Sequence, residues 1–302
     1  MKTNIDLLPN LVIAGVAKCG TTSLFSMLGQ HPQILASDLK ELNYFSPLAD
    51  GKPLPPLDIY TEHFRQWAGE SYRMEASPRY AWLGPEIVAA VARTLPQPRI
   101  LISLRDPVTR FWSAYGYLRS RGRLARDMSA EAYLEACEHW RSDPSSSPVR
   151  GSALTVGMYA EYLPHWFDSF GDDVRVLFAE DLARDPRASV SSLWSWLQLD
   201  PSPSTTIDVG SRNTTMQARS HLLARAAELL RPVTRQVFDS RPQLRTSLRQ
   251  LYGTVNGTAR RDQLAPRTAD RLRELYEPSN RQLAAFLAAR GYQELPDWLT
   301  RA

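Results

Sequence analysis

Two glycines separated by four residues, Gly15-Val-Ala-Lys-Cys-Gly20, stand between an apolar run, Leu11 to Val16, and an amphipathic one that opens on three hydroxyls, Thr21, Thr22 and Ser23. A strand, a glycine loop and a helix in that order make a phosphate-cradling turn. Backbone N–H groups and the positive end of the helix dipole collect an anion, and the hydroxyls add donors. In nucleotide triphosphatases a Lys follows the second glycine and reaches the β/γ-phosphates, and the next hydroxyl holds Mg²⁺. Here Thr21 fills the lysine position and Lys18 lies inside the loop. The arrangement suits a nucleotide phosphate with no triphosphate to clamp.

The rest of the chain alternates in the same way. Gln33 to Ala36, Ser71 to Glu75, Arg99 to Leu104 and Val174 to Phe178 read as strands. Thr21 to Gly29, Ile59 to Trp67, Pro85 to Thr94, a run from Pro107 through Phe111, Trp112, Tyr115 and Leu118, and Tyr159 to Phe170 read as helices. Alternating strands and helices imply right-handed crossovers, so the expected fold is α/β in three layers around a central, mostly parallel sheet. Ligands in such sheets bind at the carboxyl ends of the strands. Ser142 to Ser152, rich in Ser and Pro, reads as a surface loop. Beyond Asp200 the chain turns helical and Arg-rich, and Pro266 to Ala289, its longest helix, is expected to cap the sheet. No repeat has a fixed period, and 302 residues are expected to form a single domain, 1–302.

Composition narrows the function classes. A chain that is 43% hydrophobic and 23% charged folds as an ordinary globular protein, and a net charge of +4 accommodates an anionic ligand without marking a nucleic-acid partner. Only Lys2, Lys18, Lys40 and Lys52 are lysines. Two cysteines, Cys19 and Cys137, exclude a disulfide framework and make a reducing cytoplasm the expected location. Leu7 to Ala17 contains Pro9 and Asn10 and runs into the glycine loop, so it reads as the first strand rather than a leader. No run is long enough to span a bilayer, and no stable membrane insertion is expected.

Arg105 directly follows the apolar strand Arg99 to Leu104, and Ser113 lies two helical turns further on. A planar guanidinium fork and a hydroxyl together suit phosphate oxygens. These two loops resemble the sulfotransferases that use 3′-phosphoadenosine-5′-phosphosulfate (PAPS). Lys18-Cys19-Gly20-Thr21-Thr22-Ser23 is similar to that family's 5′-phosphosulfate loop, and Arg105-Asp-Pro with Ser113 to its 3′-phosphate site. The likeness continues through Gly157-Met-Tyr159, Leu163 and Trp166, Glu180-Asp-Leu-Ala-Arg-Asp185-Pro186 and Leu275-Tyr-Glu-Pro-Ser-Asn280.

Within the family, Lys40-Glu41-Leu-Asn-Tyr-Phe45 resembles the heparan-type and related bacterial branch, where a Glu in a comparable motif is the general base. The resemblance gives Glu41 that role, and Glu75 stands as a second candidate carboxylate, structural or catalytic. Heparan-type relatives often carry His where Asn43 stands and Lys where Ala76 stands, which argues against an anionic polysaccharide acceptor. Tyr44, Phe45, Tyr80, Trp82, Trp112 and Tyr115, with Arg79, are the candidates for an acceptor pocket. Relatives complete the 3′-phosphate and adenine site with a basic loop before the last long helix; Arg260 and Arg261 occupy a similar place here, with Arg212-Asn213 as the alternative.

The resemblance implies sulfonate transfer from PAPS to an acceptor hydroxyl of a sugar, lipid or secondary metabolite, leaving 3′,5′-ADP (PAP). Glu41 takes the proton, Lys18 stabilises the leaving phosphate, and no metal is required. Two other readings remain. A Mg²⁺-dependent P-loop phosphotransferase would use Asp106 or Asp181 to hold the metal. A non-catalytic nucleotide-binding protein would keep the fold alone, against the presence of both Lys18 and Glu41.

Overall fold

The computed structural model describes residues 5–125, 127–146, 151–210 and 263–300, with the backbone of two short strands, Met216–Ala218 and Gly257–Ala259. Strands β1 (Leu11–Gly15), β2 (Ile34–Ala36), β3 (Tyr72–Ala76), β4 (Arg99–Leu104) and β5 (Val174–Phe178) form one all-parallel sheet in the order β2-β3-β1-β4-β5. Each lies within a residue of its expected bounds. The helices are α1 (Thr21–Leu28), α2 (Leu57–Thr61), α3 (Pro85–Thr94), α4 (Pro107–Ser120), α5 (Ala130–Ser142), α6 (Leu163–Phe170), α7 (Ala179–Arg184), α8 (Pro186–Trp196), α9 (Pro266–Ala288) and α10 (Asp297–Thr300).

Strand alternation builds the layers. In β1, Leu11 and Ile13 pack with Leu24 and Leu28 of α1 and Trp194 of α8, whereas Val12 and Ala14 pack with Ile87 and Val91 of α3, Trp166 of α6 and Leu283 of α9. A strand buried on both faces reads as an unbroken apolar run, which is why β1 and β4 are the most legible. A third cluster joins Phe111 and Tyr115 of α4, Tyr133 and Leu134 of α5 and Leu272 and Tyr276 of α9. The long last helix thus packs against α4 and α5 with its first half and against the sheet with its second.

Three departures from the sequence reading have local causes. The helix expected over Ile59 to Trp67 is a single α turn passing into a 3₁₀ turn, Glu62–Phe64, because only Tyr60, Thr61 and Phe64 are buried to anchor it. Tyr159–Glu161 is a separate 3₁₀ turn; Pro164 lacks the N–H that would bond the Ala160 carbonyl, so α6 starts afresh at Leu163. After Asp200, residues 211–215, 219–256 and 260–262 lie outside the described residues. Between 210 and 263 the described backbone is an antiparallel pair, Met216–Ala218 with Gly257–Ala259, whose first strand lies against α4, while the expected last helix is present as Pro266–Ala288.

The sheet order sets the site. From β1 the chain moves out to β2, returns through β3, and then crosses to the other side of β1 with β4. The loops leaving β1 and β4 therefore diverge, and the crevice between them is where open α/β sheets hold ligands. Helix caps mark the same place. Asp106, Ser129 and Asp185 cap α4, α5 and α8 with their side chains, but Gly20 at the start of α1 has no side chain to cap that helix's first N–H groups.

Candidate active site at the carboxyl ends of the strands

The glycine loop is pinned to β4. The Val16 amide donates to the Ser103 carbonyl at 2.9 Å, the Cys19 amide to the Val16 carbonyl at 3.1 Å, and the Ser103 hydroxyl to the Cys19 carbonyl at 2.6 Å. Gly15 allows the close approach of the turn after β3, since a Cβ there would lie 2.4 Å from the Ala81 Cβ. Gly20 has φ 78°, a conformation open to glycine, where it joins loop to helix. Thr21 is buried, and Thr22 and Ser23 are half-buried in the first turn of α1.

Lys18 sits inside this loop at φ 75°, with its ammonium 4.6 Å from the centre of the Tyr117 ring. The Arg105 guanidinium donates to the Lys18 carbonyl at 3.4 Å, and Arg121 stands 5.3 Å from the same Tyr117 ring. Burial, then Arg105 and Arg121, push the Lys18 ammonium down to about 8, with Glu41 acting in the opposite sense. Crowding like charges around a desolvated ammonium is costly unless an anion arrives among them. The donor set therefore fits a phosphate or sulfate ester.

Glu41 lies across the crevice on the segment after β2. Its side chain is half exposed and its Oε1 is 3.4 Å from the Lys40 ammonium. Its backbone is held left-handed at φ 67°, with its amide bonded to the Ala76 carbonyl at 3.1 Å, and Asn43 follows at φ 55° with its side-chain amide on the Glu41 carbonyl at 2.8 Å. Lys18, Arg105 and Glu41 thus come together as expected, and Ser113 sits half-buried on α4. Tyr117 and Arg121 add to them. They lie four and eight residues after Ser113, a spacing that puts all three on one helix face and was readable in the sequence.

Other expected ligand contacts are corrected. Cys19 is wholly buried, its thiol pushed up to about 11 by burial and 3.8 Å from the Tyr159 hydroxyl, so it shapes the loop from within. Phe45 and Tyr80 are core rings with no exposure, and the Phe45 amide donates to the Tyr80 hydroxyl at 3.2 Å; they support the acceptor side from beneath. Trp112 and Tyr115 stack at 5.5 Å in the α4–α5 cluster. Tyr44 does reach a cleft, of about 350 Å³, together with Leu42, Pro47, Lys52, Ile59 and His63. Arg79 is exposed, its guanidinium 5.7 Å from the half-buried Trp82 ring. Arg260, Arg261, Arg212 and Asn213 lie outside the described residues.

The carboxylates that would serve a metal-dependent phosphotransferase are otherwise engaged. Asp106 accepts the Val108 amide at 2.9 Å as the cap of α4, and Asp181 pairs with Arg184. Glu180, at the start of α7, accepts the Asp106 amide at 2.8 Å and so ties the Arg105 loop to the end of β5.

Comparison with known proteins bears directly on this geometry. The family described as Sulfotransferase domain matches residues 8–284. Carbohydrate sulfotransferase 15 of Rattus norvegicus is 25% identical over 309 residues, covering 82% of this chain and 52% of that protein. The bifunctional heparan sulfate N-deacetylase/N-sulfotransferase 1 of Caenorhabditis briggsae is 26% identical over 205 residues, 65% of this chain and 23% of that one. This chain accordingly spans about half the length of the first relative and less of the second. The crystal structure of a sulfotransferase from Alicyclobacillus acidocaldarius superimposes with a TM-score of 0.67 at 25% identity, over 96% of this chain and 98% of that one.

Proposed function

The chain belongs to the sulfotransferase domain family, and from that premise we propose that it moves a sulfonate group from PAPS to an acceptor hydroxyl. The acceptor oxygen bonds to sulfur as the bond from sulfur to the 5′-phosphate oxygen breaks. The hydroxyl proton passes to Glu41, and the charge left on the departing phosphate is met by Lys18, the loop amides and the Thr21 and Thr22 hydroxyls. Arg105 and Ser113 take the 3′-phosphate. The observation that carries this reading is a half-buried ammonium displaced into the glycine loop, hemmed by Arg105 and Arg121 and facing a carboxylate on the opposite lip. Such a cluster accounts for charge stabilisation without a divalent ion.

The acceptor is proposed to be an uncharged hydroxyl compound, a sugar or an amphipathic small molecule. The cleft next to Glu41 sets Lys52 against Asp50, its His63 is bonded to Asp38 at 2.6 Å, and the rest of its lining is largely uncharged, with Leu42, Tyr44, Pro47 and Ile59 among it, a surface that offers little to a polyanion. Incubation with ³⁵S-labelled PAPS and a panel of 4-nitrophenyl glycosides, desulfated glycosaminoglycan fragments and long-chain alcohols tests the reaction. Label transferred to a neutral hydroxyl supports it; titration showing tight ATP·Mg²⁺ binding and indifference to PAP would favour the phosphotransferase instead.

Two binding predictions follow from the site. Arg105→Ala weakens PAP binding by about 1.5 to 3 kcal/mol, the worth of a charged hydrogen bond; equal affinity by calorimetry means that the second loop is misassigned. The second concerns Lys18, whose ammonium is lowered to about 8 in the free protein. A phosphate beside it raises that value, so binding above about pH 8 takes up a proton, and PAP affinity falls as pH rises through that range. Calorimetry at about pH 8.5 in buffers of different ionisation enthalpy reads the uptake directly. Heats independent of buffer would disconnect Lys18 from the phosphate.

A further inference from the structure

Behind the Glu41 segment lies a carboxylate with no part in the chemistry so far. Glu75, at the end of β3, has no solvent exposure. The Tyr60 hydroxyl donates to its Oε1 at 2.7 Å and the Ser77 hydroxyl to its Oε2 at 3.0 Å, and the Tyr80 hydroxyl also faces it. A buried carboxylate met, among the described residues, by neutral hydroxyls alone is expensive to keep, since the same volume could be filled with apolar side chains. Its neighbours show what it holds.

Ser77 turns its proton to Glu75 and therefore presents a lone pair outward, where it accepts the Asn43 amide at 2.9 Å. Tyr80 accepts the Phe45 amide at 3.2 Å. Tyr60 stacks flat on Tyr44 at 4.2 Å and edge-on against Phe45 at 5.7 Å. The segment 41–45 contains two left-handed residues, Glu41 and Asn43, and such a conformation persists only where its surroundings impose it. Three groups that impose it, from α2, from the residue after β3 and from the following 3₁₀ turn, converge on one carboxylate.

We propose that Glu75 is the positioning residue of the general base: by fixing the direction of the Ser77, Tyr80 and Tyr60 hydroxyls it holds the 41–45 segment, and with it the Glu41 carboxylate, in the geometry required at the acceptor oxygen. The inference rests on the reading of Glu41 as base. It extends that reading by giving a role to a buried group that touches neither donor nor acceptor. Burial lifts the Glu75 carboxyl to about 7, against the hydroxyl donors that favour its charged form. Tyr60, Ser77 and Tyr80 are the groups that face it from the packed elements. Near neutrality the carboxylate passes between a state that accepts every hydroxyl and a protonated state that must donate to one of them.

The test compares Glu75→Gln and Ser77→Ala with the parent and with Glu41→Gln. Turnover is measured with labelled PAPS and the most active 4-nitrophenyl glycoside, and amide hydrogen exchange is measured at Asn43 and Phe45. A displaced base costs about ten- to a hundredfold. Glu75→Gln is expected to lower kcat by that factor, to leave PAP affinity unchanged, to speed exchange at both amides, and to remove the limb of the kcat–pH profile near 7. Ser77→Ala, which leaves the buried charge in place, is expected to lower kcat and to speed exchange at Asn43 first, so the proposal stays testable if Glu75→Gln fails to fold. In the Glu41→Gln background neither change lowers kcat further. Unchanged exchange at Asn43 in both variants, or losses that multiply with that of Glu41→Gln, overturns the positioning role. Full turnover by Glu41→Gln alone overturns instead the assignment of the base.

Discussion

Glu41→Gln is expected to lower kcat by about two to four orders of magnitude, the usual contribution of a positioned general base, while PAP affinity stays within a factor of about two. The substitution keeps the shape of the side chain and its polar contacts and removes only the capacity to take a proton. Its folding cost is small for a specific reason: the side chain is half exposed, and its contact with Lys40, at 3.4 Å, is a surface ion pair of the kind that contributes little. The backbone, which does matter, is left-handed at φ 67° and is held by the Glu41 amide on Ala76 and by the Asn43 side chain on the Glu41 carbonyl, neither of which the substitution touches. A fall in kcat with an unaltered melting temperature and unaltered PAP binding therefore reads proton transfer alone. Turnover at the parent rate would leave this carboxylate out of the reaction and return attention to Glu75.

How far the site was legible in the sequence depends on how local each part is. The glycine loop, its lysine and the helix behind it are contiguous, and thirteen successive residues, Leu11 to Ser23, carry the strand, the turn and the anion site together. Arg105 was readable because the strand before it is buried on both faces and ends abruptly. Glu41 was not readable from pattern: its neighbours are a Lys, a Leu and an Asn in a stretch without periodicity, and only the likeness to known sulfotransferases singled it out. Phe45 and Tyr80 show why the acceptor side was misread. Tyr44 and Phe45 are consecutive and both buried although they belong to no strand, because the left-handed residues Glu41 and Asn43 turn the backbone just before them. Aromatic rings there look like the lining of a pocket until the two reversals of the backbone are known. Conversely, Tyr117 and Arg121 stood at helical spacing from Ser113 and needed only the face of α4 to be followed two turns further.

Removing the Lys18 side chain is expected to be nearly as damaging as losing the base, with a different signature. Lys18→Ala should lower kcat by about 10²- to 10³-fold, the cost of deleting one preorganised donor to a developing negative charge. The backbone supplies the argument that the side chain is there for chemistry. Lys18 occupies φ 75°, a region where a residue with a Cβ is disfavoured by about 1 to 2 kcal/mol and where glycine is at ease. The loop already spends glycines at Gly15 and Gly20, where a close approach and a left-handed turn demand them, yet at position 18 it carries a long cationic side chain in the same conformational region. Lys18→Gly should consequently leave stability unchanged or raise it by up to about 1 kcal/mol while turnover falls as in Lys18→Ala, the trade expected where strain is retained for activity. Kinetics separate the two roles that an ammonium can play here. If it acts on the charge that appears during transfer, kcat and kcat/KM fall together; if it merely helps to hold the donor, KM for PAPS rises and kcat stays put. The second outcome would reduce Lys18 to one more cation beside Arg105 and Arg121, and it would leave the leaving phosphate to the loop amides and the first turn of α1.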